Sequence, residues 1–323
     1  MISTFSRKSV KAFTEDSING LFISMERKTA KIVAVKVIDI FDEKILKEVN
    51  KEICNEIKRI NNEKKENGEN MAEIYDSFIY DGRLFIILEY FEHGSLADLL
   101  VKNFDATNKE GLGEELVKII IKDLLFILRK MHKKKKIIKN IKPSNMFITL
   151  DGEIKLFDFS FGKILDENIK KNKKCLTGTP LYLAPEAISK GEFTEKSDIW
   201  SVGILSLELI NGKSPFQEKH SPSIIFEIVN KKSPEPKSNC SKAFKIFTAN
   251  CLEKQSEDRH SISQLLKSDF ILSCKSKLIL KDFLHYINEK SMAIIKNSID
   301  LGKRGSGKIA SDFFSLDRKL IRV

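Results

Sequence analysis

Ile138-Lys139-Asn140-Ile141-Lys142-Pro143-Ser144-Asn145 is the stretch on which the reading of this chain turns. It follows a segment in which Leu116, Ile119, Ile120, Leu124, Leu125, Ile127, Leu128 and Met131 make a helix apolar on most sides, and therefore buried. Directly beyond that helix come two lysines, Lys139 and Lys142, and two amides, Asn140 and Asn145. An amide cannot take up a proton near neutral pH, because its oxygen is only a hydrogen-bond acceptor. Asn140 therefore offers no general base to whatever chemistry this stretch serves.

Upstream, Leu21-Phe22-Ile23-Ser24-Met25 and Lys31-Ile32-Val33-Ala34-Val35-Lys36-Val37-Ile38 read as strands separated by a polar turn. Ile45, Val49, Ile53, Ile57 and Ile60 recur at helical spacing from about Asp42 to Asn61, and a polar loop runs to Asn70. Two further strands are expected near Met71–Ile79 and Leu84–Glu89. From Gly113 onward the pattern is helical, with a second apolar helix over Asp198–Leu209 and more over 241–272. The implied architecture is α+β and bilobal, a small β-rich amino-terminal lobe with one helix joined near 90–95 to a larger helical lobe. The expected organisation is an extension over 1–13, one domain over 14–274 (lobes about 14–90 and 91–274), and a helical, basic tail over 275–323.

The 323 residues, 41% hydrophobic and 31% charged, suit a soluble globular protein with ample apolar area for its core. No apolar run is long enough to span a bilayer, and the start Met1-Ile2-Ser3-Thr4-Phe5-Ser6-Arg7-Lys8 lacks a secretory apolar stretch. Five cysteines, odd in number and without a C-x-x-C pair, fit free thiols in a reducing compartment, so the expected location is cytoplasmic or nuclear. The net charge of +11 is spread among glutamates, as in Glu43-Lys44 and Lys47-Glu48. The densest run, Lys133 to Lys136, is placed at the end of the long helix, where cations complement the macrodipole. A solvated face explains this charge better than a specific nucleic-acid surface.

Several short motifs recur in one order. They are Val33-Ala34-Val35-Lys36, Leu88-Glu89-Tyr90-Phe91, Lys142 with Asn145, Asp158-Phe159-Ser160, Gly178-Thr179-Pro180-Leu181-Tyr182, Ala184-Pro185-Glu186 and Asp198-Ile199-Trp200-Ser201-Val202-Gly203. Taken together, in order and correctly spaced, they resemble the protein kinase superfamily, on its serine/threonine side, with weak leanings to the STE group in Tyr75-Asp76-Ser77-Phe78 and Gly94-Ser95-Leu96. The resemblance implies ATP and Mg²⁺ as cofactors. Lys36 would grip the phosphates and pair with Glu56, or with Glu52 one turn earlier. Leu21, Ala34, Leu88 as gatekeeper, Glu89, Phe91 and Phe147 would contact the nucleotide, and Asn145 and Asp158 would hold the metal. Asn140 stands at the base position, with Lys142 and Thr179 beside it, and Arg259 is placed to pair with Glu186.

The departures from the family pattern concern chemistry. Counting back from Lys36 puts the phosphate-loop glycine positions at Thr14-Glu15-Asp16-Ser17-Ile18-Asn19, with no glycine and two acidic groups that oppose a triphosphate. Asn140 replaces the catalytic aspartate, and general-base help is worth about 10²–10⁴ in rate. Lys139 replaces the arginine that in some kinases binds a phosphothreonine, and Cys175 sits at the usual phosphosite, with Thr177 as a substitute. Ile138 replaces a histidine and would join Phe159, Ile60 and Ile74 in an apolar spine, while Ser160 replaces a glycine.

In the tail, Gly302-Lys303-Arg304-Gly305-Ser306-Gly307-Lys308-Ile309 nearly spells a nucleotide-binding loop but lacks the final hydroxyl; a flexible basic linker is expected. Residues 277–299 carry an amphipathic pattern suited to docking on the carboxy-terminal lobe or on a partner. The combined expectation is a pseudokinase that acts as scaffold or allosteric partner of another protein, an active kinase or a substrate. The alternatives are a weakly active ATP-dependent serine/threonine kinase and a switch that binds nucleotide without turnover.

Overall fold

The computed structural model describes residues 11–12, 21–26, 29–39, 51, 54–55, 70–80, 82–156, 180–217 and 221–304. The amino-terminal lobe is an antiparallel sheet of β1 (Lys11–Ala12), β2 (Leu21–Met25), β3 (Ile32–Asp39), β4 (Ile74–Tyr80) and β5 (Arg83–Glu89), in the order β1-β2-β3-β5-β4. Side chains alternate across a strand. Val33, Val35, Val37 and Ile87 therefore build one small core, with Phe22, Tyr75, Phe78 and Phe85 packed against it. The opposite face of β3 carries Ala34 and Lys36. Residues 51, 54 and 55 are helical, within the stretch expected as a helix.

The chain leaves β5 through Tyr90–Ser95 and enters α1 (Leu96–Thr107), a helix not among those expected from the sequence. A capping box starts it: Ser95 Oγ accepts from Asp98 N, and Asp98 Oδ2 accepts from Ser95 N at 2.7 Å. The buried helix α2 (Glu114–Lys133) follows, acidic in its first turn and basic in its last. It ends at Lys133, so most of the lysine run lies beyond it rather than on it. Lys134 caps the helix and Lys135 takes a left-handed φ of 57°, which stops further turns.

Next come a 3₁₀ turn (Pro143–Asn145), the short hairpin β6 (Met146–Ile148) and β7 (Ile154–Leu156), and α3 (Pro185–Ser189). The almost wholly buried α4 (Glu195–Asn211) closes with Gly212 at φ 78°; a Cβ there would lie 1.7 Å from the Glu110 carbonyl oxygen. Helices α5 (Ser221–Asn230), α6 (Lys242–Cys251), α7 (Ile262–Leu265) and α8 (Asp269–Leu272) complete the lobe around Trp200, Phe244, Phe247 and Phe270. The tail is a helix, α9 (Leu278–Arg304), whose Leu280, Leu284 and Ile287 join the same core. It runs through Gly302 to Arg304, so the expected basic linker does not begin at Gly302; one glycine weakens a helix by only about 1 kcal/mol. Among the described residues no helix is long and apolar enough to cross a membrane.

Candidate functional site

The stretch 138–145 is shaped from below by one buried carboxylate. Asp198, on α4 and fully buried, accepts from Ile138 N at 3.0 Å and Lys139 N at 2.9 Å, and pairs with His132 Nε2 at 2.8 Å. Because an ionised carboxylate only accepts, His132 donates from Nε2. These bonds hold Lys139 at φ 62°, a conformation that in a residue with a Cβ persists only when its surroundings over-determine it. Asn140 N donates to the Ile138 carbonyl at 2.8 Å, closing a three-residue turn over Lys139. Ile138 itself is buried, as an aliphatic spine residue should be, and so is Ile74.

Past this turn, Lys142 is extended and Pro143 opens the 3₁₀ turn, with its ring pre-setting φ. Asn145 is 5% exposed, and its Nδ2 donates to the Asn140 main-chain carbonyl at 3.0 Å. That bond fixes the Asn145 amide and leaves Oδ1, a hard oxygen donor of the kind Mg²⁺ prefers. Among the described residues no three His, Cys, Asp or Glu side chains cluster to hold a metal.

The roof over this loop is the second face of the sheet. Ala34 pairs with Leu88, Lys36 with Ile86, and Leu21 with Lys36, which sets Leu21, Ala34, Lys36 and Leu88 on neighbouring positions. Burial lowers the Lys36 pKa from its ordinary value, and the positive charge of Lys142 lowers it further. Two ammonium groups that feel each other across the cleft make a field suited to an anion. At its edge Phe91 stacks on Phe147, ring centroids 5.0 Å apart. Glu89, at the end of β5, has its side chain engaged within the protein. Its carboxylate accepts from Lys155 Nζ at 2.5 Å and from Glu73 N at 2.9 Å, and its own N–H donates to the Glu73 carbonyl at 2.9 Å.

On the far side of the loop, Pro180–Glu186 runs into α3. The Arg259 guanidinium grips Glu186 with two bonds of 2.7 Å, and Ser197 Oγ adds a third at 2.9 Å. Burial pushes the Glu186 carboxyl up, but the hydrogen bonds from Arg259 and Ser197 and the Arg259 charge outweigh it and hold the pKa below the ordinary value. Tyr182 donates to Glu208 Oε2 at 2.5 Å, joining this segment to α4 a second time. Lys139, in the position where an arginine would meet a phosphate, lies 5.2 Å from the centre of the Phe193 ring.

The structure places Asn140, Lys142 and Asn145 in one loop, Ala34, Lys36 and Leu88 at paired positions of the sheet, and Phe91 and Phe147 in one stack. Glu56, Thr179 and Asp158 lie outside the described residues, as do Glu52, Ile60, Phe159, Ser160, Cys175, Thr177 and the 14–19 loop. Sequence reasoning missed His132, eight positions before Asn140, whose signal was a lone histidine in the last turn of α2.

Residues 20–271 match the family model for the protein kinase domain. The chain is 31% identical over 289 residues to serine/threonine-protein kinase dst1 of Dictyostelium discoideum, covering 87% of this chain and 36% of that protein. It is 32% identical over 257 residues to serine/threonine-protein kinase STE20 of Yarrowia lipolytica, covering 79% and 21%. Serine/threonine-protein kinase hippo of Drosophila melanogaster is 32% identical over 274 residues, covering 84% and 38%. The chain therefore spans well under half the length of these relatives.

Proposed function

From the premise that this chain belongs to the protein kinase family, among STE20-like serine/threonine kinases, we propose that it is a catalytically impaired member, a pseudokinase that works by binding. The observation that carries the reading is Asn140, an amide in a loop held by main-chain bonds at Ile138, Lys139, Asn140 and Asn145. An aspartate there accepts the proton of the substrate hydroxyl as the phosphoryl group transfers; an amide does not. The loss is one of proton acceptance, not of folding.

The rest of the cleft keeps the means to hold a nucleotide. Lys36 and Lys142 would bind phosphate oxygens, Ala34, Leu88, Phe91 and Phe147 would enclose the base, and Asn145 Oδ1 with Asp158 would hold Mg²⁺. The ion, when bound, neutralises charge on the phosphates. In this reading the bilobal fold presents surfaces to a protein partner, an active kinase or a substrate protein, within phosphorylation signalling. A second reading, slow ATP-dependent transfer to serine or threonine, is favoured by the loop that keeps Lys142 and Asn145 in place, since phosphoryl transfer depends chiefly on positioning and charge neutralisation.

The deciding experiment is phosphoryl transfer from ATP to a peptide library and to the protein itself, with Asp158→Ala prepared in parallel. Equal counts in both proteins are expected. Transfer that disappears in Asp158→Ala would establish the slow enzyme instead.

A further inference from the structure

The family match ends at residue 271, yet the folded core does not. Leu280, Leu284 and Ile287 of α9 are at most 2% exposed and repeat at helical spacing, so one stripe of the helix lies in the carboxy-terminal lobe. Three polar tethers accompany the stripe, each to a different element. Lys277 pairs with Asp123 of α2 at 2.6 Å, Lys281 with Asp151 in the β6–β7 turn at 3.0 Å, and Asn288 Nδ2 donates to His93 Nδ1 at 3.1 Å.

The third tether ends on the most buried of these side chains. Asp151 is largely exposed and Lys281 half-buried, where an ion pair contributes little, whereas His93 is 6% exposed. His93 sits two residues beyond Phe91, and the segment it belongs to is stitched to β6. Ile148 N donates to the Gly94 carbonyl at 3.2 Å, and Ser95 bridges Phe147. A continuous path of bonded groups thus runs from Asn288 through His93 to both rings of the Phe91–Phe147 stack.

We infer that Asn288 and His93 are positioning residues of the nucleotide cleft, through which α9 fixes the segment that leads out of β5 and the strand beneath it. Removing the Asn288 amide leaves a buried imidazole acceptor without its donor, and that penalty falls on the segment 88–95. The global core, held by the leucine stripe, is untouched. The assignment of Phe91 and Phe147 to an adenine pocket rests on the nucleotide reading above, but the mechanical link does not.

Amide hydrogen exchange on the full chain without nucleotide tests the link. In Asn288→Leu, residues 88–95 and 146–149 should exchange about tenfold faster, with exchange in α4 and the melting temperature nearly unchanged. Asn288→Gln, which keeps an amide donor, should recover most of the protection. Unchanged exchange in those segments would overturn the inference. So would a uniform rise across the lobe with a matching fall in melting temperature, the signature of a merely structural helix. Where Asn288→Leu proves unstable, Asn288→Ser gives the same readout from a smaller side chain. Titration with ADP and Mg²⁺ adds a separate arm. Weakened affinity in Asn288→Leu extends the link to the ligand, while wild-type protein that binds no ADP refutes the nucleotide reading and leaves the exchange result to stand or fall alone.

Discussion

Asn145 holds the main-chain carbonyl of Asn140, not its side chain, at 3.0 Å. The residue at the base position is thus kept in place by bonds indifferent to what its side chain is. Asn140→Asp should therefore leave stability within about 0.5 kcal/mol of wild type, as surface-like changes do. If the amide is what limits chemistry, the same change should raise phosphoryl transfer by about 10²–10⁴ over the unmodified protein. A variant as inert as wild type, with its fold intact by circular dichroism, would move the defect to the phosphate loop.

Asp198 gathers three donors, so its removal should be felt throughout the loop. Asp198→Ala orphans Ile138 N, Lys139 N and His132 Nε2, and an unsatisfied buried donor costs about 1–3 kcal/mol. Urea unfolding should show a total loss of about 3–5 kcal/mol, since the three penalties overlap. A loss under about 1 kcal/mol would mean that water replaces the carboxylate.

The Glu186–Arg259 pair carries a pH signature. The folded-state pKa of Glu186 is depressed, so the stability it contributes is present above the ordinary carboxylate value and lost as pH falls through the folded one. Arg259→Ala should cost about 3–5 kcal/mol at pH 7. The gap between variant and wild type should narrow on acidification towards pH 3, and a gap constant from pH 7 to 3 would contradict this assignment.

Tyr182 and Glu208 have the opposite sign. Burial raises the Glu208 pKa, against the hydrogen bond from Tyr182 that lowers it, so the protonated carboxyl is favoured in the fold and that contribution is lost as pH rises through the folded value. Tyr182→Phe removes the donor and should cost about 1.5–3 kcal/mol where the carboxyl is charged, above its raised folded-state pKa, and less at lower pH. Thermal melts of the two proteins across that range read the difference directly.

Lys36 and Lys142 repel, and a polyanion between them relieves the repulsion. Should the cleft bind ATP with Mg²⁺, ligand at about 100 times Kd should stabilise the protein by about 2.7 kcal/mol. Lys36→Met should abolish that gain, because the ammonium that would meet the phosphates is gone. No stabilisation of wild type by ATP with either Mg²⁺ or Mn²⁺ would exclude the nucleotide-sensing version of the function.

What the sequence made legible was whatever is written locally. Val33–Lys36 showed as a strand because β-branched residues crowd it, while the roles of Asn140, Glu186 and Arg259 came from the resemblance to the kinase family. Helix α1 escaped notice although Ser95 and Asp98 spell its capping box and Leu96, Leu99 and Leu100 keep helical spacing. The three-residue strands β6 and β7 are too short for alternation to register. His132 and the Glu89 carboxylate were beyond reach for another reason: their partners lie 66 residues away in both cases, and only the fold brings them together.

The leucine stripe of α9 has a consequence for how this domain can be divided. A chain cut after Cys274, where the domain was expected to end, would retain the trough that receives Leu280, Leu284 and Ile287 but not the helix that fills it. Such a fragment would present a long apolar furrow to water, a shape that accepts any amphipathic helix of matching period. It should aggregate when alone and bind a synthetic 277–304 peptide when the two are mixed, so that cutting the chain at the expected domain end would make two interacting pieces out of one body.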